Sequence, residues 1–480
     1  MLAACSQTDK PTAIERLHPC ATDEGPTDAY CGTLKVFENR ETRQGRTLDL
    51  KIVLLPALSN EPKPDPLFFL AGGPGQGAAE MARPLRDAFR RVQADRDIVL
   101  VDQRGTGKSH PLDCKSDDES LAALSEPLEL SVERLKKCLA GLDADLRLYT
   151  TPIAMDDLNE VRDHLGYDHI NIYGGSYGTR AALVYLRQHE ATVRSVVIDG
   201  VAPPDMRLPL FMARDGQRAL DRLLNDCEAD QACRAKYPQL GTRLRTLVAL
   251  LDSSPARVRL THPRTGIAEE VAVNGEFIVN VIFGALYNPL VSSLLPELIG
   301  RAEQRDFQGL LALATIGASG GDDNMSIGMQ LSVVCAEDYP RISQEQIDRE
   351  SKDSIFGTHL LKARMKACEF WPRGSVAPAF YEPVTSNVPV LVLSGDLDPI
   401  TPPQWGESVL PQLTKARHVV VPGTGHGAIG TGCGMRLVQQ FVGAGSADAL
   451  DTGCLAAIKR PPFFLTPAGP DPAGSKGATP

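Results

Sequence analysis

One short segment of the chain combines a serine with glycines in a spacing that suits nucleophilic chemistry. The segment YGGSYGT (173–179) matches the pattern G-x-S-x-G through Gly174, Ser176 and Gly178. A buried-strand pattern precedes it and a helical pattern follows it, the setting in which a tight turn lifts a serine clear of a sheet. Side chains at 174 or 178 would collide with the adjoining helix or strand. Ser176 is therefore the predicted nucleophile.

A serine hydroxyl needs a general base, and His426 is the histidine best placed to supply it. It lies in PGTGHG (422–427), directly after the last buried-strand pattern. His418 lies within that strand pattern, and His262 and His359 fall in a largely helical region. The chain order serine, acid, histidine is the one expected for a serine on a strand-to-helix turn. His426 is thus the predicted base.

The acid that orients the imidazole is expected after the preceding strand, where GDLDP (395–399) offers two aspartates. Asp398 ends a turn that begins at a glycine, and Pro399 stiffens the chain that follows. Asp398 is therefore the predicted acid, while Asp396 is the alternative and otherwise serves the turn. Asp199, which follows another strand pattern, is a more distant choice.

Acyl transfer also requires hydrogen-bond donors for the oxyanion that forms on the substrate. The glycine loop AGGPG (71–75) follows a short apolar run earlier in the chain. The predicted donors are the backbone amides of Gly73 in this loop and of Tyr177, which follows the serine. An ordinary turn is the alternative interpretation of this loop.

A further glycine segment, DQRGTGKS (102–109), ends in Gly-Lys-Ser as phosphate-binding loops do. Their pattern requires a glycine at the first position, where this chain has Asp102. Losing that glycine removes part of the backbone nest around a phosphate, which argues against nucleotide binding. We expect the segment to brace a loop beside the site, with Asp102 paired to Arg104 and Lys108 solvated.

The elements that must position these residues alternate between strands and helices. Buried apolar runs occur within 47–57, 66–77, 97–105, 169–175, 193–201, 388–399 and 417–427. Such runs, separated by helical stretches, predict a parallel sheet covered on both faces. Functional loops of such sheets gather at the carboxyl ends of the strands, where each glycine-rich segment stands.

The strand signal fades between 205 and 382, where the pattern is mostly helical and 210–227 is the clearest helix. We interpret this region as a lid inserted between two strands of the main sheet. The predicted organisation is an N-terminal segment (1–20), the two parts of the core (21–204 and 383–460), the lid (205–382) and a disordered tail (461–480).

Charge and hydropathy exclude two classes of function. Lysine and arginine total 50 against 60 aspartates and glutamates, a net charge of −10 without long basic runs. Nucleic-acid binding is not expected, because phosphate contacts need clustered cations. The chain contains no run of about 18 apolar residues, so no membrane-spanning helix is expected.

The cysteines indicate an oxidising compartment. Ten of the eleven fall into couples of neighbours, and no couple has the CxxC spacing of a zinc or redox site. Five local disulfides are the preferred interpretation, and ten reduced cysteines in a cytosolic protein are the alternative. The proposed pairs are Cys20–Cys31, Cys114–Cys138, Cys227–Cys233, Cys335–Cys368 and Cys433–Cys454.

The remaining cysteine, Cys5, lies in LAAC followed by Ser6, which resembles the lipobox of bacterial lipoproteins. In that motif the cysteine is lipidated after signal cleavage. A signal peptide needs a charged start and an apolar stretch, but only four residues precede Cys5. A truncated start with a lipid on Cys5 is the favoured interpretation, and an accidental resemblance is the alternative.

Four of these motifs together resemble one known family. GGPG (72–75), DQRGTGKS (102–109), GGSYGT (174–179) and GDLDPITP (395–402) are similar to motifs of the α/β-hydrolase peptidases of the prolyl iminopeptidase and tripeptidyl-aminopeptidase group. The resemblance runs from about Cys31 to Cys454. DPITPP and GTGHG look most like the tripeptidyl-aminopeptidase type. Ala71 departs from the prolyl iminopeptidase pattern, which often has histidine there.

The resemblance implies an α/β-hydrolase fold and cleavage of peptides near a free N-terminus, without a metal or organic cofactor. Members of the tripeptidyl-aminopeptidase type are commonly exported, which agrees with the cysteine pattern. The expected location is accordingly the bacterial periplasm, the outer membrane as a lipoprotein, or the medium.

An aminopeptidase must also hold the ammonium group of its substrate, which a carboxylate can do by charge-assisted hydrogen bonds. VVCAEDYPR (333–341) is the predicted stretch, with Glu337 and Asp338 close to Cys335, whose bridge would fix them. A solvated acidic turn is the alternative.

Three functions are compatible with these residues. The first is a serine aminopeptidase, in which Ser176 attacks, His426 carries the proton and Asp398 orients the imidazole. A carboxylic-ester hydrolase on the same fold is the second, because the three side chains do not distinguish amide from ester. A non-catalytic binding module is the third, and the intact trio argues against it.

Overall fold

Strands alternate with helices along the chain, as the apolar pattern predicts. The structure, a computed structural model, describes residues 12–22, 25–114, 120–121, 128–321 and 325–470. Its strands are β1 (His18–Thr22), β2 (Gly25–Asn39), β3 (Gln44–Leu55), β4 (Leu67–Leu70), β5 (Ile98–Val101), β6 (Ile170–Gly175), β7 (Val193–Asp199), β8 (Ala256–Thr261), β9 (Ala268–Val273), β10 (Val390–Gly395) and β11 (Ala416–Val421).

The main sheet has the strand order β1-β2-β3-β5-β4-β6-β7-β10-β11 in the described residues. Six neighbouring strands are parallel to one another: β5, β4, β6, β7, β10 and β11. The strands β1, β2 and β3 form an antiparallel edge beside β5. Parallel strands covered on both faces read as continuous apolar runs, which is why the sequence pattern found them. It missed β1 and β2, which carry many polar residues.

Some helices cover the two faces of this sheet and others form the separate region described below. They are α1 (Ala82–Ala88), α2 (Arg90–Gln93), α3 (Leu128–Gly141), α4 (Thr151–Leu165), α5 (Tyr177–His189), α6 (Met212–Ala229), α7 (Gln231–Lys236), α8 (Leu240–Ser253), α9 (Gly275–Leu286), α10 (Pro289–Ser292), α11 (Leu295–Ala302), α12 (Gln308–Gly321), α13 (Ile327–Glu337), α14 (Gln344–Ser351), α15 (His359–Cys368), α16 (Pro403–Ser408) and α17 (Gly432–Ala444). Helices α4 and α5 pack on one face and α1 and α17 on the other. The predicted sheet architecture is confirmed.

The segment predicted as a lid, 205–382, divides between two hydrophobic cores. Helices α6 to α12 and the hairpin β8–β9, which the sequence pattern did not reveal, enclose a core of their own. Helices α13 and α15 instead contribute to the core beneath the sheet, through Cys335 and Cys368 among others. The chain therefore returns to the main core well before residue 382.

The C-terminal region also packs further than the sequence suggested. Phe463 and Leu465 are buried in the core that α6 to α12 enclose, so the tail does not become disordered at 461. Residues 471–480 lie outside the described residues.

The described residues contain five disulfides: Cys20–Cys31, Cys114–Cys138, Cys227–Cys233, Cys335–Cys368 and Cys433–Cys454. These are the pairs that the sequence suggested, and each closes a loop of fewer than 35 residues. Cys5 lies outside the described residues. In the part of the chain that is described, no helix is long and apolar enough to cross a membrane.

The segment 102–109 braces its surroundings, but not through the predicted pair. Asp102 is fully buried and accepts hydrogen bonds from the amides of Ala79 (2.7 Å) and Lys108 (2.9 Å). Arg104 instead forms a buried bidentate ion pair with Asp157, at 2.6 and 2.9 Å. The predicted contact between Asp102 and Arg104 is therefore wrong, because each finds a partner outside the segment. Lys108 is exposed, as expected.

The Arg104–Asp157 pair generates a stability prediction. We expect Arg104→Gln to lower the free energy of unfolding by about 3–5 kcal/mol, because it leaves a buried carboxylate without its main partner. Urea unfolding followed by circular dichroism measures this. Arg147→Gln is the matched control, since Arg147 is exposed, and we expect an unchanged midpoint. Equal midpoints for both variants would contradict the prediction.

Candidate active site

Ser176 stands on a strained turn between β6 and α5. Its backbone has φ 56° and ψ −125°, a conformation that side chains rarely adopt. The turn places the serine at the carboxyl edge of the sheet and at the N-terminus of α5, whose dipole favours negative charge there. This is the strand, turn and helix arrangement that the sequence predicted around Ser176.

The glycines around Ser176 are required by close packing. A Cβ on Gly178 would overlap the carbonyl oxygen of Leu70 at the end of β4 and would lie 2.9 Å from that of Ala71. A Cβ on Gly174 would lie 2.6 Å from the carbonyl carbon of Gly178. The predicted reason for small residues at these positions therefore holds, because backbone atoms occupy the space that side chains would need.

His426 and Asp398 form a hydrogen-bonded pair at the same edge of the sheet. The imidazole Nδ1 lies 2.8 Å from Oδ2 of Asp398. Because an ionised carboxylate only accepts hydrogen bonds, Nδ1 carries the proton, which leaves Nε2 as the acceptor. Asp398 is fully buried, whereas the His426 side chain is 14% exposed. The imidazole is therefore partly accessible to solvent, whereas the Asp398 carboxylate is not.

Thr401 belongs to this pair, although the sequence analysis did not single it out. Its hydroxyl donates to Oδ2 of Asp398 at 2.7 Å and lies 3.0 Å from Nδ1 of His426. The amides of Ile400 and Thr401 donate to the other carboxylate oxygen. The signal was present in the sequence as DPIT, where the threonine follows the aspartate by three residues.

The environment shifts both pKa values away from their ordinary range. Burial opposes the charge of Asp398, but His426 and the hydrogen bonds of Thr401 outweigh it, so the pKa of Asp398 is lowered. Burial likewise opposes an imidazolium at His426. The negative charge of Asp398 and its hydrogen bond outweigh that effect, so the pKa of His426 is raised. Both shifts favour a charged pair.

Ser176 and His426 are connected through the end of β7. The amide of Ser176 donates to the carbonyl oxygen of Asp199 at 2.9 Å. A Cβ on Gly200, the next residue, would lie 3.2 Å from Cε1 of His426. The serine hydroxyl makes no hydrogen bond to the imidazole within the described residues. Such catalytic contacts are often long or poorly aligned before substrate binds, so the missing hydrogen bond does not argue against proton transfer.

Two backbone amides near Ser176 have no acceptor. Within the described part of the chain, the amides of Gly73 and Tyr177 donate no hydrogen bond. The loop of Gly73 abuts the serine, since a Cβ on Gly72 would lie 3.2 Å from Cβ of Ser176. These amides are the donors that the sequence analysis predicted for an oxyanion.

The positions of Glu337 and Asp338 contradict the prediction that these acids bind the ammonium group of the substrate. Both are fully buried, and Arg180 forms ion pairs with both carboxylates, at 3.3 Å to Glu337 and 3.0 Å to Asp338. The amide and hydroxyl of Thr151 bind the oxygens of Glu337. Their charge is thus already compensated inside the protein, so neither of these two carboxylates is available to a substrate ammonium group.

The buried group around Arg180 instead supports the helix that follows the serine. The Tyr177 hydroxyl lies 2.6 Å from that of Thr151, which in turn contacts Glu337. Burial and the nearby Asp338 raise the pKa of Glu337 to about 7, against the effect of Arg180. The Cys335–Cys368 disulfide joins α15 to α13, which carries Glu337 and ends just before Asp338.

The alternatives considered from sequence lie elsewhere. Asp396 accepts a hydrogen bond from the amide of Thr424 at 3.3 Å and so serves the loop rather than the imidazole. His418 contacts the hydroxyl of Ser394 from within β11. Tyr287, which no sequence signal revealed, packs edge-on against the ring of His426, and its carbonyl accepts the His426 amide at 2.9 Å.

Comparison with known proteins agrees with this architecture. Residues 65–235 match the family model described as alpha/beta hydrolase fold, and residues 353–454 match the model described as TAP-like protein. Serine protease Hip1 of Mycobacterium tuberculosis is 25% identical over 470 residues, which cover 89% of this chain and 88% of that protein.

Two further similarities involve proline iminopeptidases. That of Neisseria gonorrhoeae is 30% identical over 145 residues, which cover 30% of this chain and 34% of that protein. The solved structure from Mycobacterium smegmatis is 16% identical with a TM-score of 0.40, and the match covers 86% of this chain and 98% of that one.

The sheet order, the strand-turn-helix around Ser176 and the match to the alpha/beta hydrolase model identify the fold of this chain as the α/β-hydrolase fold. The resemblance suggested by the four motifs is confirmed: the chain is a serine-hydrolase enzyme related to the TAP-like proteins, to Hip1 and to the proline iminopeptidases.

The packing at Gly178 generates a prediction about the serine turn. We expect Gly178→Ala to abolish labelling of Ser176 by a fluorophosphonate probe, because the new methyl group forces α5 away from β4. Gly284→Ala is the matched control: Gly284 lies in α9 with no atom within 4 Å of a new Cβ, and alanine suits a helix better by about 1 kcal/mol. Labelling of Gly178→Ala at the control rate would show that the turn tolerates a side chain.

Proposed function

We propose that this protein is an exported serine aminopeptidase, which hydrolyses peptide bonds near a free N-terminus through an acyl-enzyme. In this proposal Ser176 is the nucleophile, His426 the general base and acid, and Asp398 the residue that orients the imidazole. The amides of Gly73 and Tyr177 form the oxyanion hole.

The hydrogen bond between His426 and Asp398 carries the proposal. It fixes the proton of the neutral imidazole on Nδ1, which leaves the Nε2 lone pair to accept the proton of the nucleophile. A buried acid that holds the tautomer and stabilises the imidazolium is what a serine nucleophile requires of its base. The raised pKa of His426 is consistent with that role, because it reflects stabilisation of the charged ring.

The chemistry follows from these positions. His426 takes the proton of Ser176 as the hydroxyl attacks the carbonyl carbon, and the oxyanion receives hydrogen bonds from the two unpaired amides. His426 then gives the proton to the departing amine. Water, activated by the same imidazole, hydrolyses the acyl-enzyme and releases the N-terminal fragment.

Preference for a free N-terminus rests on the relatives. The TAP-like model covers 353–454, which contains Asp398 and His426, and a proline iminopeptidase is 30% identical over 145 residues. Because Glu337 and Asp338 are occupied by Arg180, they are no longer part of this proposal. An ester substrate would use the same five groups, so the substrate panel below includes esters.

Export is supported by the five disulfides, because such bonds persist in oxidising compartments and are rare in the cytosol. Lipid attachment at Cys5 stays a prediction from the sequence.

A substrate panel tests the proposed activity. We expect hydrolysis of aminoacyl and tripeptidyl fluorogenic amides with a free amine, and we expect Ser176→Ala to lower kcat by a factor on the order of 10⁶. Ser253→Ala, at an exposed helix end, is the control that keeps activity. Hydrolysis of N-blocked esters alone would replace the peptidase assignment by an esterase, and no hydrolysis would leave a binding module.

The pH profile tests the role of His426. The base must be neutral to accept the proton of Ser176, and its pKa is raised in the folded protein. We therefore expect kcat/KM to fall as the pH drops through a single ionisation that lies above the ordinary histidine value of about 6.5. An acidic limb below 6 in the wild-type enzyme would contradict this assignment.

A further inference from the structure

Asp199, at the end of β7, contacts both halves of the site through different atoms. Its carbonyl oxygen accepts the amide of Ser176 at 2.9 Å. Its carboxylate accepts the amides of Ala428 at 2.8 Å and of Ile429 at 2.9 Å, two and three residues after His426. One residue therefore joins the serine turn to the loop that carries the histidine.

The carboxylate of Asp199 is held in place by a third donor. Oδ2 accepts the hydroxyl of Tyr173 at 2.8 Å, and the Asp199 side chain is inaccessible to solvent. Tyr173 lies on β6 and is itself fixed by stacking on Phe69 and by an edge contact with Phe89. The carboxylate is thus positioned from β6 and in turn positions the chain after β11.

The hydrogen bonds indicate which form of Asp199 the site contains. All three partners are donors, and both carboxylate oxygens accept, which suits an ionised group. Burial raises the pKa of Asp199, while the two amides, Tyr173 and His426 oppose that rise. The resulting negative charge lies near His426 without a hydrogen bond to it.

These contacts show that Asp199 has a different role from Asp398, the acid that binds the imidazole. Nδ1 of His426 is bound to Asp398, and both oxygens of Asp199 are occupied by the chain beyond His426. Asp199 does not touch the reacting atoms. It determines where two of the reacting groups stand relative to each other.

We propose that Asp199 is a positioning residue that holds the Ser176 turn and the His426 loop in register, through its carbonyl oxygen and its carboxylate respectively. This proposal rests on the proposed function. A serine and a histidine that misalign by about 1 Å lose about 100-fold in rate, which is the scale of effect that such a tether controls.

The negative charge of Asp199 provides a readout that a merely structural role would not move. The titratable groups that face the imidazole are Asp398 from the loop after β10, Asp199 from β7 and the phenol of Tyr287 at the end of α9. Burial raises the pKa of Tyr287, so the phenol stays neutral. Asp199 thus adds to the effect of Asp398 in raising the pKa of His426.

The test compares Asp199→Asn with wild type on the best substrate of the panel. We expect kcat to fall by about 10- to 100-fold with KM little changed. We also expect the acidic limb of kcat/KM to move to lower pH, because a negative charge near the imidazolium is lost. Asp65→Asn is the control: Asp65 is also a buried aspartate, but it pairs with Arg96 and precedes β4 at the opposite end of the sheet.

Tyr173→Phe keeps the proposal testable if Asp199→Asn does not fold by circular dichroism. It removes one of three hydrogen bonds but keeps the charge and the ring packing. We expect a smaller fall in kcat, about 3- to 10-fold, with the acidic limb in place. An unchanged kcat in Tyr173→Phe when Asp199→Asn is unfolded overturns the proposal.

The outcomes distinguish this proposal from the proposed function. If wild type hydrolyses the panel and a fluorophosphonate labels Ser176, but Asp199→Asn keeps the wild-type kcat and acidic limb, only the tether is refuted. If Asp65→Asn shifts the limb equally, the shift does not come from Asp199 and the tether is refuted as well. If wild type neither hydrolyses nor is labelled, the proposed function fails and this inference fails with it.

Discussion

Helix α5 approaches the end of β4 so closely that only hydrogen fits at position 178. Backbone carbonyls of Leu70 and Ala71 occupy the space of a side chain, and Ser176, two residues earlier, has a positive φ. Strain of this kind persists only where the surrounding packing determines it. It brings the serine, the N-terminus of α5 and the glycine loop after β4 to one point. Every other feature of the site is arranged around that point.

The groups that surround Ser176 come from separate parts of the chain, and each is held by buried polar contacts. Asp398 is fixed by two amides and by Thr401, and the His426 loop is bound by the carboxylate of Asp199 and by the carbonyl of Tyr287. Tyr287 follows α9, which belongs to the second hydrophobic core. The position of the imidazole therefore depends on both cores, and not on the sheet alone.

The sequence predicted most of the parallel sheet and the central residues, for identifiable reasons. Strands buried on both faces must be continuously apolar, so the apolar pattern predicted β4 to β7, β10 and β11. Two glycines that flank a serine indicate a nucleophile when a strand precedes them and a helix follows. The antiparallel β1 and β2, the hairpin β8–β9 and the packed segment around Phe463 were not visible. Their residues acquire a hydrophobic environment only from distant partners.

The residue types and their order along the chain thus determined the class of chemistry. A serine between glycines, an aspartate after a strand and a histidine in a glycine loop are local features, because local backbone sterics and side-chain chemistry create them. The pairing of buried charges was decided only by the tertiary structure. Arg104 pairs with Asp157, Arg180 pairs with Glu337 and Asp338, and Asp199 binds the His426 loop. A buried charge needs a compensating group nearby, and the packed fold decides which group that is, at any distance along the chain.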